Sequence, residues 1–396
     1  MEWNIERIEA LLLIAGIVSM LARKLRLPYS VGLVLAGIGL ALSPIRIELA
    51  LTRELVFSAL LPPLLFEAAF HVEWSAFRRD LSVILALATV GVFISLVVIA
   101  AGVALLFHWH PALALLLGVL LSATDPVAVL AIFKETKVSE RLRLLVDAES
   151  LLNDGTVAVL FVIAMAAIAG EQLTPTGVVT SFVFTALGGM VCGALTAGLV
   201  LGLAGHTEDP LVEITFTTIA AYGSFMLAEY FHFSGVLATL TAGVMVGTIG
   251  SIGAISDKGR EAVIAFWEFM GFVANSIIFL LIGVQLTRQN FHAFWYPALM
   301  VILLTTLGRA LTVYLCCGFF SKTPQRVSRS HQHALFWGGL RGALSLALAL
   351  GLPVNLVHRE EIITIVFAVV AFSILVQGST IAPVMKFVSR KGSVQE

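Results

Sequence analysis

Charged residues are scarce in this sequence. Asp, Glu, Lys and Arg make up only 12% of the 396 residues, whereas 59% are hydrophobic. A typical soluble domain has about 25% charged residues, so this composition excludes an ordinary soluble protein and indicates one that spans a lipid bilayer. The formal net charge is −1, and the basic residues are scattered over short loops. Both features argue against nucleic acid as a partner.

Cysteine is rare as well, because the chain has only Cys192, Cys316 and Cys317, all in apolar segments. They form neither a disulfide framework nor a metal-binding CxxC motif, and no His/Cys set has the spacing of a zinc site. The N-terminus lacks a basic start and a small-residue cleavage site, so we expect the first apolar segment to be a real helix. No long polar tail follows the last apolar segment, so we expect any regulatory domain to be absent or on another chain. We also expect no cofactor.

Long apolar runs dominate the sequence instead. About 20 apolar residues span the hydrocarbon of a bilayer, and runs bounded by charges, Pro and Gly predict an all-α polytopic membrane protein of about thirteen spans. The second and ninth runs are short, so each could be tilted, longer or partly re-entrant. The runs lie near 8–22, 30–43, 53–71, 81–107, 111–134, 141–169, 174–204, 209–231, 234–249, 262–287, 294–320, 329–352 and 361–388.

The distribution of Lys and Arg predicts the orientation of these spans, since cytoplasmic loops carry the excess of both residues. Most of the 24 basic residues fall in odd-numbered loops and at the C-terminus. We therefore expect an external N-terminus and a cytoplasmic C-terminus in a cell (inner) membrane. Two arginines, Arg309 and Arg341, lie inside predicted spans. The N-terminus and the even-numbered loops hold only Arg7, Arg46, Arg53, Arg288 and Arg359.

Two acidic residues also lie near the middle of predicted spans. A charge at the bilayer centre costs about 2.5–3.5 kcal/mol, so such residues usually face the protein interior and mark an ion site. Asp125 precedes Pro126 in the fifth span, where proline disfavours helical geometry and predicts a broken helix. Thr124 and Asp125 then supply oxygen ligands at this depth. The alternative is a helix kink with a capping carboxylate.

The sixth span contains the second acid, Asp154, four residues after Ser150. Glu149 and Asn153 have the same spacing, so the four polar groups share one sector of the helix and can converge on one ion. Their oxygens suit a hard alkali cation better than a soft metal. Ser150 and Asn153 could instead have a packing role.

Three further features accompany these acids. Arg309 and Arg341 are interpreted as structural counter-charges, and either could pair with Glu149. Glycines surround Arg341 in Gly338-Gly339-Leu340-Arg341-Gly342-Ala343, which weakens the helix and lets backbones approach closely. Glu67 follows a Pro-Pro pair, and it belongs either to the ion pathway or to helix packing.

These motifs resemble the NhaP/NHE branch of the monovalent cation/proton antiporters. The matching segments occur in the family's order. They are Thr124-Asp125-Pro126-Val127-Ala128-Val129, Glu149-Ser150-Leu151-Leu152-Asn153-Asp154-Gly155-Thr156, Phe266-Trp267-Glu268-Phe269 with Ile278-Phe279-Leu280-Leu281-Ile282-Gly283, and the glycine-rich motif around Arg341.

The resemblance implies the fold of an NhaA-like antiporter. It would be a homodimer with inverted repeats, in which spans five and twelve are crossed, broken helices. Dimerisation helices would occupy residues 1–75 and 174–290, and the ion-binding core would occupy 76–173 and 291–390. Residues 391–396 would form a cytoplasmic tail.

The resemblance also implies an activity, the exchange of Na⁺ or Li⁺ for H⁺ in pH homeostasis. Asp154 would bind proton and cation in turn, with Asp125, Thr124 and Ser150 as further Na⁺ ligands. Glu149 would pair with Arg309, or else with Arg341. Asn153 stands where an electrogenic relative has an aspartate, which implies electroneutral one-for-one exchange.

Three other functions remain open at this point. A K⁺/H⁺ antiporter could use the same site. A cation channel is less well supported, because the sequence has no filter repeat. A membrane enzyme lacks support, since neither a paired catalytic-aspartate signature nor a GxSxG elbow with a histidine partner is present.

Overall fold

The computed structural model describes residues 5–25, 27–43, 51–127, 129–130, 133, 138–171, 174–250 and 253–392. Across these ranges the chain is helical, with one isolated β-bridge and no longer strand pairing. Short π-helical segments at Leu55–Leu60, Ala86–Val90 and Ser373–Gly378 interrupt the α-helices. The α-helices are α1 (Ile5–Leu25), α2 (Tyr29–Leu42), α3 (Leu61–Phe70), α4 (Trp74–Leu85), α5 (Gly91–Phe107), α6 (Pro111–Leu120), α7 (Glu140–Ile168), α8 (Pro175–Ala204), α9 (Pro210–Tyr230), α10 (Gly235–Ile249), α11 (Asp257–Leu286), α12 (Phe291–Phe319), α13 (Arg329–Gly338), α14 (Ala343–Leu350), α15 (Arg359–Phe372) and α16 (Ser379–Gly392).

The predicted all-α class is confirmed. Each apolar run coincides with a helix or with consecutive helices, although part of the fifth run, together with Lys134 and Lys137, lies outside the described residues. Seven described helices are long and apolar enough to cross a membrane, and further apolar helices are 10–17 residues long. Helix length therefore does not decide how many of the shorter helices cross, and the number thirteen stays a prediction.

Side chains next to prolines determine where several helices begin. Thr174 accepts a hydrogen bond from Gly177 N–H just before Pro175, and Asp209 accepts one from Leu211 N–H just before Pro210. Proline lacks an N–H and fits the first helical position, while Thr and Asp satisfy amides that the first turn leaves unpaired. The sequence therefore defines the starts of α8 and α9 locally.

Contacts between Cα atoms divide the chain into two compact units. The first comprises Met1–Val56, Ser82–Asn153 and Asn275–Glu396, and the second comprises Phe57–Leu81 and Asp154–Ala274. This division reflects contacts between residues and carries no information about which unit binds ions or forms a dimer. The predicted assignment of segments to dimerisation and to ion binding concerns function, so it stays a prediction.

The second unit is built around α10, which packs on α3, α8 and α9. Glycines permit these helices to approach closely, because a Cβ at Gly193 would lie 2.1 Å from the carbonyl oxygen of Ala238. The rings of Phe66 and Trp267 are 4.5 Å apart between centroids, and Trp267 Nε1 donates to Thr217 Oγ1 over 3.0 Å. Small residues and one buried aromatic pair thus hold this unit together.

In the first unit, α12 packs on α5 and α15, and α5 packs on α6. α2 crosses the C-terminal half of α11 with almost no side chain between the two backbones. A Cβ on Gly37 would lie 2.1 Å from Leu280 O, and one on Gly283 would lie 2.2 Å from Val34 O. Only glycine fits at both positions of this crossing.

We expect Gly37→Ala to lower the stability of the protein by about 1–3 kcal/mol, because the new methyl group must displace backbone. Thermal unfolding in detergent measures the effect. Gly39→Ala is the matched control, since a Cβ at Gly39 has no atom within 4 Å. Equal melting temperatures for the two variants would contradict the close crossing.

Candidate functional site

Two helices of the first unit are broken, and their broken segments pair with each other. α6 ends at Leu120, while α13 and α14 are separated between Gly338 and Ala343. Asp125 N–H donates to Leu340 O over 2.8 Å and forms the isolated antiparallel bridge. The predicted break at Asp125-Pro126 is confirmed, and the helix ends well before the proline.

Arg341 binds carbonyl groups in the broken segment just after α6. Its Nη1 donates to Ser122 O over 2.7 Å and to Ala123 O over 2.8 Å, and the residue is only 2% exposed. The last carbonyls of a helix have no partner within the helix and carry partial negative charge. A guanidinium group at this end therefore satisfies the hydrogen bonds and offsets the helix dipole.

Arg309 does the same at the end of α13 and also binds Glu149. Its Nη1 and Nη2 donate to the two carboxylate oxygens of Glu149 over 2.8 and 3.0 Å, and Nη2 donates to Leu335 O over 2.8 Å. Glu149 is 1% exposed and Arg309 is 5% exposed. The structure therefore pairs Glu149 with Arg309, while Arg341 bonds to backbone.

Asp125 lies at the N-terminal end of α14. Its Oδ1 accepts from Val127 N–H over 3.0 Å, and the backbone N–H of Ala343, the first residue of α14, also faces the carboxylate. A Cβ on Gly342 would lie 1.9 Å from Asp125 Oδ2. Helix N-termini attract anionic groups, so the carboxylate of Asp125 lies beside the backbone N–H groups of Val127 and Ala343.

The glycines of the motif around Arg341 have distinct tasks. Gly342 leaves room for Asp125, and Gly339 leaves room for Arg309, since a Cβ on Gly339 would lie 2.1 Å from Arg309 Nε. Sequence reasoning expected close backbone approach. The groups that approach are instead charged side chains, one from α12 and one from the broken segment after α6.

Hydroxyl and amide groups of α7 lie against the broken segment of α6. Thr124 Oγ1 and Ser150 Oγ share a hydrogen bond of 3.1 Å, and both residues are 2% exposed. Asn153 Nδ2 donates to Ser122 O over 3.1 Å and approaches Glu149 Oε1 at 3.5 Å. Thr124, Ser150 and Asn153 thus meet at the break, whereas convergence of the four polar groups of α7 on one ion stays a prediction.

Asp154 follows Asn153 in α7 and belongs to the second contact unit. It is half-buried, and its Oδ1 has no contact with solvent. In the uninterrupted helix it lies one turn after Ser150. Its carboxylate is thus partly enclosed.

Glu67 lies in the last turns of α3, within the second unit. It is half-buried, its Oε1 is 3.6 Å from His71 Nδ1, and its side chain covers Gly271 of α11. These contacts place Glu67 beside a histidine at a helix end. Its membership of an ion pathway stays a prediction.

Sequence reasoning missed Ser373 and Gln377, which lie in a π-helical segment. Ser373 Oγ donates to Gln377 Oε1 over 2.8 Å, and both residues are buried. Their spacing of four residues within an apolar run was the available signal, because two buried polar groups on one helix face indicate a polar contact. Nothing in the sequence marks the π-helical geometry itself.

Broken helices that meet over buried charges and hydroxyl groups are the architecture of a secondary transporter. A family model described as "Sodium/hydrogen exchanger, transmembrane" matches residues 10–387. The chain belongs to the sodium/hydrogen exchanger family. It is therefore a multi-pass membrane transporter and not an enzyme.

Curated relatives and a solved structure agree with this membership. The chain is 38% identical to the Na⁺/H⁺ antiporter ApNhaP of Aphanothece halophytica, covering 91% of this chain and 70% of the relative. It is 34% identical to the Na⁺/H⁺ antiporter NhaH of Halobacillus dabanensis, covering 96% and 97%. The structure of the sodium proton antiporter MjNhaP1 from Methanocaldococcus jannaschii aligns over 98% of both chains with a TM-score of 0.80 and 18% identity, which shows a common fold.

We expect Glu149→Gln to lower stability by about 3–5 kcal/mol, because it leaves the Arg309 cation buried without its carboxylate. The double variant Glu149→Gln/Arg309→Met should recover part of this loss, since no unpaired charge remains. Melting temperatures in detergent give the comparison. Glu361→Gln is the control. It removes the more exposed contact with His358, which is 2.9 Å long and worth about 0–1 kcal/mol. A double variant no more stable than Glu149→Gln would contradict the role of the pair.

Proposed function

We propose that this protein is a secondary active antiporter that exchanges Na⁺, or Li⁺, for H⁺ across a cell membrane. The curated relatives are Na⁺/H⁺ antiporters by name, and they align with most of this chain at 34–38% identity. Family membership supports coupled transport over a channel. The positive-inside distribution of Lys and Arg supports an external N-terminus in the inner membrane.

The observation that carries the proposed ion site is the oxygen cluster at the break of α6. The hydroxyl groups of Thr124 and Ser150 are in contact. Asp125, which follows Thr124 in the chain, holds its carboxylate at the start of α14. Hydroxyl and carboxylate oxygens suit a hard cation. We propose that Na⁺ binds to Asp125, Thr124, Ser150 and Asp154.

Asp154 is the proposed exchange residue, at which cation and proton compete. Glu149 is less suited to this task, because both its oxygens accept hydrogen bonds from Arg309, and protonation would break one of them. Asn153 cannot ionise, so Asp154 would be the one carboxylate of α7 that exchanges a proton for the cation. We propose that Glu149, Arg309, Arg341 and Asn153 hold the frame, and that exchange is electroneutral.

The site would face one side of the membrane at a time, through elevator-like movement of an ion-binding core. We propose that this core is formed by residues 76–173 and 291–390, and that residues 1–75 and 174–290 form the scaffold of a homodimer. The gradient of either ion drives the other, so the reaction needs no ATP.

We expect Asp154→Asn to abolish Na⁺-dependent proton movement in proteoliposomes, because the amide can neither release a proton nor neutralise the cation. Dequenching of a pH-sensitive dye after Na⁺ addition measures the exchange. Glu208→Gln, an acid-to-amide change at an exposed position, should keep wild-type activity. Transport by Asp154→Asn at the wild-type rate would refute the proposed competition.

We expect wild-type exchange to proceed at the same rate whether the membrane potential is free or clamped with K⁺ and valinomycin. A one-for-one exchange moves no net charge, so a potential neither drives it nor builds up. In vesicles whose potential is clamped without K⁺, addition of Na⁺ or Li⁺ should cause proton movement, and addition of K⁺ should not. A rate that rises on clamping would contradict electroneutrality, and a K⁺ response would favour K⁺/H⁺ exchange.

A further inference from the structure

The connection between α12 and α13 is bound by side chains from other parts of the first unit. Arg141, in the first turn of α7, donates from Nη1 to Arg326 O over 3.0 Å and from Nη2 to Gln325 O over 2.9 Å. The next carbonyl, Val327 O, accepts from Gln332 Nε2 over 2.9 Å. Three successive carbonyl groups of this connection are thus bound by side chains.

Further hydrogen bonds surround the same connection and the start of α13. Ser82 Oγ, in α4, donates to the amide oxygen of Gln325. Ser139 Oγ, just before α7, and His331 Nε2 share a hydrogen bond of 3.3 Å. Ser328 accepts from His331 N–H over 3.3 Å at the N-terminus of α13. The beginning of α7 is therefore tied both to the connection and to α13 itself.

Deeper in the unit, α7 is joined to the same stretch of chain a second time. Glu149, about 12 Å further along α7, is linked through Arg309 to Leu335 O in the last turn of α13. The residue after Glu149 contacts the broken segment after α6, which is bridged in turn to the break after α13. The register of α7 against α13 is thus fixed at two levels, one beside the proposed ion site and one at Arg141.

We propose that Arg141 is a positioning residue for cation binding, because it keeps α7 in register with α13 and so keeps Ser150 against Thr124. Arg141 lies nine residues before Ser150, about 14 Å of helix, so it acts through α7 and does not touch the ion. A planar guanidinium binds two neighbouring carbonyl oxygens at once, which fixes orientation as well as distance. The transport readout of this proposal rests on the proposed antiport.

We expect Arg141→Met to raise the Na⁺ concentration at half-maximal exchange in proteoliposomes by about threefold to tenfold, the effect of one or two hydrogen bonds. The maximal rate should stay close to that of wild type, since the exchanging groups are intact. Arg141→Lys should give an intermediate value, because an ammonium group does not reproduce the fork of a guanidinium. A residue that served folding alone would not shift half-saturation.

Arg143→Met is the matched control. It removes the same charge two residues further along α7, from an exposed side chain that has no hydrogen-bond partner among the described residues. It should keep wild-type half-saturation. An equal rise in Arg143→Met would overturn the proposal, as would wild-type half-saturation in Arg141→Met. A fall in maximal rate alone would also overturn it.

Deuterium exchange of backbone amides provides a second readout that involves no transport. Peptides that cover residues 321–334 should exchange faster in Arg141→Met than in wild type, because the connection and the start of α13 lose their tie to α7. Arg143→Met should exchange as wild type does. Unchanged exchange in Arg141→Met would overturn the proposal even if the antiport is confirmed, so the two failures are distinguishable. If Arg141→Met does not fold, Arg141→Lys serves for both measurements.

Discussion

Backbone hydrogen bonding in an apolar interior is the constraint on which the rest of this structure depends. Each unsatisfied N–H or C=O group at membrane depth costs several kcal/mol, so an unbroken helix is the default. α6 and the α13–α14 pair are nevertheless both broken. The groups released by the two breaks must find partners, and these partners account for most of the buried charge in the first unit.

The signs of the charges follow the polarity of the broken helices. Carbonyl oxygens just after α6 and in the last turn of α13 accept from Arg341 and Arg309, while the N–H groups of Val127 and Ala343 face the carboxylate of Asp125. Cations thus lie at or just beyond helix C-termini and the anion at the N-terminus of α14, in the direction that the helix dipole favours. Glu149 then balances Arg309. The charge of Arg309 is therefore paired within the protein itself.

Much of this arrangement could be predicted from residue types. Apolar runs predicted the helices, Pro126 predicted a break, and the spacing of Glu149 to Asp154 predicted one polar sector. The partner of Glu149 could not be chosen from residue types, because Arg309 and Arg341 both lie in spans and pairing depends on where helices cross. The end of α6 at Leu120 was also unpredictable, since the residues that follow it have no breaker before Pro126.

The glycine motif shows most clearly what a sequence omits. Glycine marks a close approach, but it does not say whether backbone, guanidinium or carboxylate approaches. Gly339 and Gly342 are three residues apart and admit groups of opposite charge, Arg309 from α12 and Asp125 from the broken segment after α6. The π-helical segment behind them is hidden for a similar reason, because shifting a hydrogen bond by one residue requires no special side chain.

The division between frame and site rests on the number of hydrogen bonds that each charged group must keep. Arg341 and Arg309 each bind carbonyl oxygens of a broken helix, so movement of either would expose unpaired backbone. Asp125 is tied less strongly, through Val127 N–H and its position at α14. A group that exchanges ligands must lose partners at low cost, and the hydroxyl pair of Thr124 and Ser150 meets this condition, since each oxygen can turn from its neighbour to a cation. The most strongly bonded charges therefore hold the broken segments together, and the more weakly bonded oxygens are those of the proposed ion site.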